Sequence, residues 1–313
     1  MSERQCYDLI GDIHGHYDKL TTLLDRLGYT CVGKEPSEHS FEHPEGRKVI
    51  FLGDYIDRGP KVREVLLTVR AMVESGNALA VLGNHEHVAF LYHEPDGKGS
   101  WLRPPWLRHG MGLAKTISQF EGREEEWQDW LTWLKTLPLY LDLGDLRAVH
   151  ACWNAEAIEF LGDRCLSHDP LLHSTADRST SDHWAVEQLL TGPEMTIPDG
   201  AMILNARGMP LPYTRVRWWD IPTGPVDLAD LALPEPLDDR GEADREKVRQ
   251  LPNYPPDGPP VFFGHYWLSP DKDKTPLRHN IACLDYSAAK NGPLVAYRWN
   301  GEAALTSAHF ITS

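Results

Sequence analysis

The residues able to do chemistry in this chain sit behind short apolar runs. Val49-Ile50-Phe51-Leu52 leads through Gly53 to Asp54, Asp57 and Arg58. Buried charge persists only when paired or coordinated, so two carboxylates and a guanidinium at one strand end point to a cationic centre beside an anionic ligand. The same order of apolar run, glycine and ligand type recurs in Leu9-Ile10-Gly11-Asp12-Ile13-His14-Gly15 and Val81-Leu82-Gly83-Asn84-His85-Glu86. It returns in Val261-Phe262-Phe263-Gly264-His265, and Val149-His150 ends a further apolar run. The candidate ligands are therefore Asp12, His14, Asp54, Asn84, His150 and His265. Oxygen and imidazole donors suit manganese, iron, cobalt, nickel or zinc, and no thiolate set accompanies them. Six ligands exceed one open catalytic site but fit two adjacent divalent ions, with the central Asp54 as bridge. Such a pair binds phosphate oxygens and makes hydroxide available from a bridging water near neutral pH.

These ligands need elements that bring them to one edge. Spacings of roughly thirty to forty residues between the first three motifs suit a strand, a helix and the next strand, so in a parallel sheet all three loops emerge together. Strands are predicted at Cys6–Ile10, from Val49 and at Ala78–Leu82. Helices are predicted where Leu20, Leu23, Leu24 and Leu27, then Val62, Val65, Leu66 and Val69, recur at helical spacing. Residues 30–46 read as a surface excursion. Glu86–Tyr92 opens another helix. Residues 93–112 break the pattern, and Trp101, Arg103, Trp106, Arg108 and His109 read as packing the loop in preference to rimming a pocket. A helix over Arg123–Thr136 buries Trp127, Trp130, Leu131 and Leu134, with Glu124, Glu125 and Glu126 favouring the dipole at its start.

Leu146–His150 reads as a short strand. Residues 155–260 change character, with a helix around Trp184–Leu190 and then thirteen prolines between Pro193 and Pro260. Proline cannot donate to a ladder, so this stretch reads as an inserted cap within a single domain spanning 1–313. The sheet resumes at Val261, and Ile281–Asp285, Leu294–Trp299 and Ala304–Ile311 are predicted to close it.

With 41% hydrophobic and 25% charged residues over 313 positions, the composition is that of a globular protein able to bury a core. A net charge of -15 excludes a nonspecific nucleic-acid binder, because neutralising phosphates needs a basic surface. A local metal site still permits a phosphorylated substrate. The five cysteines form no paired ligand spacing, the N-terminus carries no apolar signal region, and no apolar run is long enough for a bilayer. A reduced cytoplasmic protein without membrane association is the expectation.

Gly11-Asp12-Ile13-His14-Gly15, Gly53-Asp54-Tyr55-Ile56-Asp57-Arg58-Gly59 and Gly83-Asn84-His85-Glu86 resemble the three signature motifs of calcineurin-like metallophosphoesterases. The resemblance is to the branch of serine/threonine phosphoprotein phosphatases and diadenosine tetraphosphatases, and His150 and His265 match its two later histidines. It implies an α/β fold, a β-sandwich of two mixed sheets flanked by helices. It also implies roles. Asp12 and His14 would hold the first metal with Asp54 bridging, and Asn84, His150 and His265 the second, with manganese foremost among the candidate ions. His85 would be the general acid, Asp57 its orienting carboxylate and Arg58 the phosphate clamp, with Asn84 also facing substrate. A guanidinium matches phosphate bidentately, and a carboxylate partner raises a histidine toward its protonated form, so the last three roles also stand on their own chemistry.

Departures bear on substrate. Leu82 stands where eukaryotic protein phosphatases usually carry arginine, and a further phosphate-binding arginine is expected from the cap, with Arg207, Arg215 and Arg217 as candidates. The first expectation is a phosphatase of phosphoprotein-type monoesters, acting through a hydroxide that bridges the metals. The alternative is a hydrolase of dinucleoside polyphosphates. Tyr55 to Arg58 and Glu86 lean to the former, and Gly264-His265-Tyr266-Trp267 with Cys283-Leu284-Asp285 and the Gly292–Trp299 strand to the latter. His16, His87, His93 and His109 read as neighbouring or surface groups, Cys152 and Trp153 as packing. Asp285 is balanced between supporting the site and a plain strand-end turn.

Overall fold

A computed structural model describes residues 4–33, 40–104, 112–197, 203–204, 210–233 and 243–313. The first half alternates as the spacing requires. β1 (Tyr7–Ile10) is followed by α1 (Tyr17–Arg26), a hairpin of β2 (Thr30–Val32) and β3 (Ser40–Glu42), β4 (Lys48–Phe51), α2 (Val62–Glu74), β5 (Ala78–Ala80) and α3 (Asn84–His93). Then come α4 (Ala114–Gln119), α5 (Glu124–Leu134), β6 (Tyr140–Asp142) and β7 (Arg147–Val149). The 155–260 stretch holds α6 (Ala155–Leu161), α7 (Asp169–Thr175), α8 (Ser181–Leu190), β8 (Glu194–Thr196), β9 (Ile203–Leu204), β10 (Pro210–Leu211), β11 (Tyr213–Val216), α9 (Leu228–Leu231), β12 (Ala232–Leu233) and α10 (Arg245–Arg249). The chain closes with β13 (Val261–Phe263), β14 (Ile281–Cys283), β15 (Val295–Trp299) and β16 (Phe310–Thr312).

Two mixed sheets carry the site. In the first, ordered β16-β15-β1-β4-β5, the strands β1, β4 and β5 run parallel, while β15 joins β1 antiparallel. In the second, ordered β14-β13-β7-β6, β7, β13 and β14 run parallel and β6 is antiparallel. The last three residues of β1, β4, β13 and β14 are buried, as in strands covered on both faces, and all but Asp8 of β1 are apolar. The sheets face each other through one core, in which Phe262 of the second meets Tyr297 of the first at 5.1 Å between ring centres. Their parallel strands end at a common edge, where α/β folds place ligands. Asp8 on β1, fully buried, is neutralised by Arg47 and Arg298 and accepts a bond from Tyr29 Oη. A buried carboxylate needs that full set of partners.

Several expectations change. The 30–46 excursion contains the β2–β3 hairpin, and its residues 34–39 lie outside those described. Ala304–Ile311 is mostly not a strand, since a 3₁₀ turn covers Ser307–His309 and β16 begins at Phe310. Trp101 is bridged to Pro95, Arg103 N–H bonds Leu91 C=O, and Trp106, Arg108 and His109 lie outside the described residues. Glu126, beyond any dipole effect, pairs with Arg63 at 2.7 Å.

The prolines keep the 155–260 stretch out of both central sheets, and its short strands form two separate small ones. Its helical part packs into the main core through Leu161, Leu171, Ala185 and Leu189, whereas Met195, Ile197, Val216, Leu231 and Val248 belong to a second apolar cluster. Trp218, fully buried, ties the two regions by stacking near Phe263 at 5.2 Å and donating its Nε1–H to Ala151 C=O. That anchor fixes the end of β11, and with it Arg215. Among the described residues, no helix is long and apolar enough to cross a membrane.

Candidate metal centre and cavity

The six ligand types meet at the common strand edge. Asp12 and His14 follow β1, Asp54 follows β4, Asn84 opens α3 after β5, His150 follows β7, and His265 follows β13. Asp54 stands in the middle, its Oδ2 3.4 Å from His14 Nε2 and its Oδ1 3.5 Å from His150 Nε2. Asn84 Oδ1 lies 3.1 Å from His150 Nε2 and 3.0 Å from His265 Nδ1. Asp12 accepts the His265 backbone N–H on both carboxylate oxygens at 3.1 Å.

The glycines of the motifs make this convergence possible. A Cβ on Gly264 would stand 1.8 Å from Asp12 Oδ1, and one on Gly83 would stand 2.2 Å from Asp54 Oδ1. At both positions, then, a candidate ligand carboxylate occupies the room a side chain would take. The backbone is also held in unusual conformations, with positive φ at His14, Asp54, Asp57, Arg58 and His265. Such conformations cost energy for non-glycine residues and persist where surrounding structure fixes them. Much of that fixing falls to Glu86, which the sequence reading did not place in the site. Fully buried, its carboxylate accepts the N–H groups of Asp54, Tyr55, Ile56 and Gly83 at 2.9–3.2 Å and so clamps one motif loop to the next.

Hydrogen bonding shows that the residues fit divalent cations. His150 Nδ1 lies 2.7 Å from Leu52 C=O and His14 Nδ1 lies 2.9 Å from Ile56 C=O, so each ring donates its Nδ1–H and presents a lone pair at Nε2. Around His150 Nε2 stand Asn84 Oδ1 and Asp54 Oδ1, acceptors facing an acceptor, an arrangement that a shared cation reconciles. His14 Nε2 and His265 Nε2 are buried without a hydrogen-bond partner among the described residues. Burial and the neighbouring carboxylates of Asp285 and Asp54 push Asp12 well above the usual carboxylate range. Burial acts on Asp54 in the same sense, but the histidines around it outweigh burial and hold its pKa down. Clustered ligand atoms group as Asp12, Asp54 and His150, and as His14, Asp54 and His85, with Asp54 common to both.

Beside the centre, His85 Nδ1 meets Asp57 Oδ2 at 2.5 Å, and its Nε2 lies 3.1 Å from Arg58 Nη2 and 3.9 Å from Asp54 Oδ2. Burial pulls His85 down, yet the carboxylates of Asp54 and Asp57 outweigh it and raise its pKa. Asp57 is itself held by Thr116 of α4, whose hydroxyl donates to Oδ1 at 2.6 Å and accepts the Asp57 N–H at 2.9 Å. A cavity of about 290 Å³ opens here, lined by Asp54, Arg58, Asn84, His85, Val88, Arg215, His265 and Trp267.

Of the three cap arginines, Arg215 enters this cavity and bonds the His265 carbonyl at 2.6 Å. Arg217 does not line it: β11 ends at Val216, and the Arg217 guanidinium turns to the Asp230 carbonyl. Arg207 lies outside the described residues. Of the neighbouring histidines, His87 is buried against Thr175 Oγ1 at 2.9 Å, and His93 caps its own helix by bonding Ala89 C=O. His16 is half-buried and adjoins Lys19 and Lys115. His109 falls outside the described residues. Cys152 and Trp153 are buried in the core, where burial pushes the Cys152 thiol well up and leaves it unactivated. Asp285 is more than a strand-end turn, since it accepts the Trp267 and Ser287 N–H groups at 2.8 and 2.9 Å.

The sequence profile of the calcineurin-like phosphoesterases matches residues 8–266, and the chain belongs to that family. Among individual relatives, it is 35% identical over 157 residues to the bis(5'-nucleosyl)-tetraphosphatase PrpE (asymmetrical) of Bacillus subtilis, covering 49% of this chain and 59% of that protein. With the protein of the same name from Halalkalibacterium halodurans it shares 44% identity over 120 residues, 38% of this chain and 43% of the other. Among solved structures, it aligns over 100% of its length with 80% of a Saccharomyces cerevisiae protein serine/threonine phosphatase, at a TM-score of 0.47 and 12% identity.

Proposed function

We propose that this chain is a metal-dependent hydrolase of phosphoric esters and anhydrides, and that its substrates are dinucleoside polyphosphates. The observation that carries the hydrolytic reading is the placement of His85 between Asp57 and Arg58, beside Asp54. Asp12, His14, Asp54, Asn84, His150 and His265 would hold two divalent ions, with manganese proposed first. Such ions, when bound, supply Lewis acidity that neutralises phosphate charge and acidifies water.

The chain's own residues do the rest. Arg58 and Arg215 bring guanidinium groups to the cavity, where they bind phosphate oxygens and orient the group. Arg58 now donates toward His85 Nε2. A phosphate that takes over this guanidinium frees Nε2 to carry a proton, which His85 delivers to the leaving oxygen while Asp57 holds Nδ1–H. Asn84 lines the cavity as well as meeting His150 and His265, which supports its double role toward metal and substrate.

Two features support the dinucleoside polyphosphate reading over the phosphoprotein one. The relatives at 35% and 44% identity are named as tetraphosphatases, and Trp267 gives the cavity an aromatic wall. Glu86, which leaned the other way in the sequence, spends its carboxylate on backbone N–H groups and does not bear on substrate. Residues 155–260 supply Arg215 and so serve, in this reading, as a cap within one domain. All five cysteines are free, which supports a reducing, cytoplasmic setting. Assaying diadenosine tetraphosphate beside a phosphoserine peptide, with manganese, tests the substrate. Nucleotide products are expected, and phosphate release from the peptide alone would return the function to phosphoprotein-type monoesters.

A further inference from the structure

Three cations gather around one indole at the cavity's rim. Arg58 Cζ lies 4.1 Å from the centre of the Trp267 ring, Lys290 Nζ 3.7 Å and Arg215 Cζ 5.8 Å. Cation–π attraction offsets part of their mutual repulsion, but no carboxylate pairs with any of the three among the described residues. Asp285, which adjoins Trp267, has its oxygens turned to the backbone N–H groups of Trp267 and Ser287. It thereby fixes two strained residues, Trp267 at φ 50 and Ser287 at φ 59, and with them the 3₁₀ turn Ala288–Lys290 that carries the lysine. The fold holds this positive cluster in place with Asp285 nearby but with no direct carboxylate partner among the described residues, which suits an anionic ligand.

The division of the cluster indicates which anion. Arg58, Arg215 and Trp267 line the cavity that adjoins the metal ligands, whereas Lys290 is exposed and stands outside that lining on the same indole. One phosphate in the cavity meets the two guanidinium groups and leaves the ammonium for a second negative group close by. We infer that Lys290, held on Trp267, is a specificity-determining residue that binds the phosphate next to the scissile one, so that the site selects condensed phosphates over isolated monoesters. This rests on the hydrolase reading above, and it assigns the selection to a residue outside the motifs.

Isothermal titration of the wild type, Lys290→Ala and Lys290→Arg tests it, with magnesium in excess over each ligand. The ligands are imidodiphosphate, a non-hydrolysable P–N–P pair, and inorganic phosphate. Lys290→Ala is expected to weaken imidodiphosphate about tenfold, the scale of one lost charge-assisted contact, and to change phosphate less than twofold, while Lys290→Arg retains most of the affinity. Equal changes for both ligands, no change for either, or absent imidodiphosphate binding by the wild type would overturn the proposal. Lys290 is exposed, so the variants fold, and far-ultraviolet circular dichroism checks this. Turnover of diadenosine tetraphosphate by the wild type, measured alongside, separates the two readings: its absence together with the expected binding order would remove the substrate reading and leave the subsite.

Discussion

Asp57 and His85 meet through Oδ2 and Nδ1 at 2.5 Å, and this contact turns the opposite ring nitrogen toward Arg58 and Asp54. The contact keeps one proton on Nδ1 and gives Nε2, which would carry the transferred proton of the proposed general acid, a defined direction. His85→Asn removes the proton while leaving the six candidate ligands in place. It is expected to lower kcat about 10²- to 10⁴-fold with bound metal unchanged. Steady-state kinetics paired with elemental analysis checks both halves, and full activity would take His85 out of the reaction.

The pH profile should report the same pair. His85 is raised above its ordinary value by the Asp54 and Asp57 carboxylates, against the pull of burial, so its proton persists to higher pH. Asp57→Asn removes one of those charges, and the alkaline limb of kcat should move to lower pH. Thr116→Val, which deprives Asp57 of its hydroxyl donor, should shift the limb through a different residue. A limb that stays put in both variants would assign it to another group.

Glu86 gathers four backbone N–H groups from two loops. Glu86→Ala leaves them buried and unpaired, at about 1–3 kcal/mol for each that water does not reach. A loss of about 3 kcal/mol or more is expected in urea unfolding, together with weaker metal binding as the Asp54 loop relaxes. Unchanged stability would mean that those loops hold their shape without the clamp.

The glycine beside Asp12 admits no substitution. Gly264→Ala puts a methyl where Asp12 Oδ1 stands, 1.8 Å away, so Asp12 must leave. Metal content should fall below that of the wild type while the core, built elsewhere, keeps the chain folded. A fully metallated variant would contradict the assigned place of Asp12.

Stability should also carry a mark of His87, which burial, helped by Arg103 and His183, lowers to about 3. Below the unfolded value of about 6.5 the unfolded chain takes a proton that the folded chain refuses, so this residue makes stability fall as pH drops from about 6.5 towards 3. Above 6.5 it contributes no slope. His87→Gln, which retains a partner for Thr175 Oγ1, should flatten urea-unfolding free energies across that window. An unaltered slope would assign the pH dependence to other groups.

The convergence of the six candidate ligands was legible in the sequence because each follows an apolar run and, at five of the six, a motif glycine, features that strand ends impose locally. Glu86 was not legible as a clamp, since its partners at Asp54, Tyr55 and Ile56 become neighbours only when β4 and β5 align. Thr116 belongs to a six-residue helix too short to show a period. Arg215 and Arg217 stood as equal candidates within the cap, but β11 ends between them at Val216 and the Arg217 guanidinium turns away to the Asp230 carbonyl. Trp267 and Lys290 lie 23 positions apart, joined by a carboxylate between them, and no local pattern marks that relation.

The central claim is that Asp54 joins two cation sites, one beside His14 and one beside His150. Metal stoichiometry of the wild type and Asp54→Asn, measured by elemental analysis after reconstitution with manganese and gel filtration, tests it most directly. Two ions per chain are predicted for the wild type and fewer than one for the variant; a wild type that retains none, or a variant that still retains two, would contradict it.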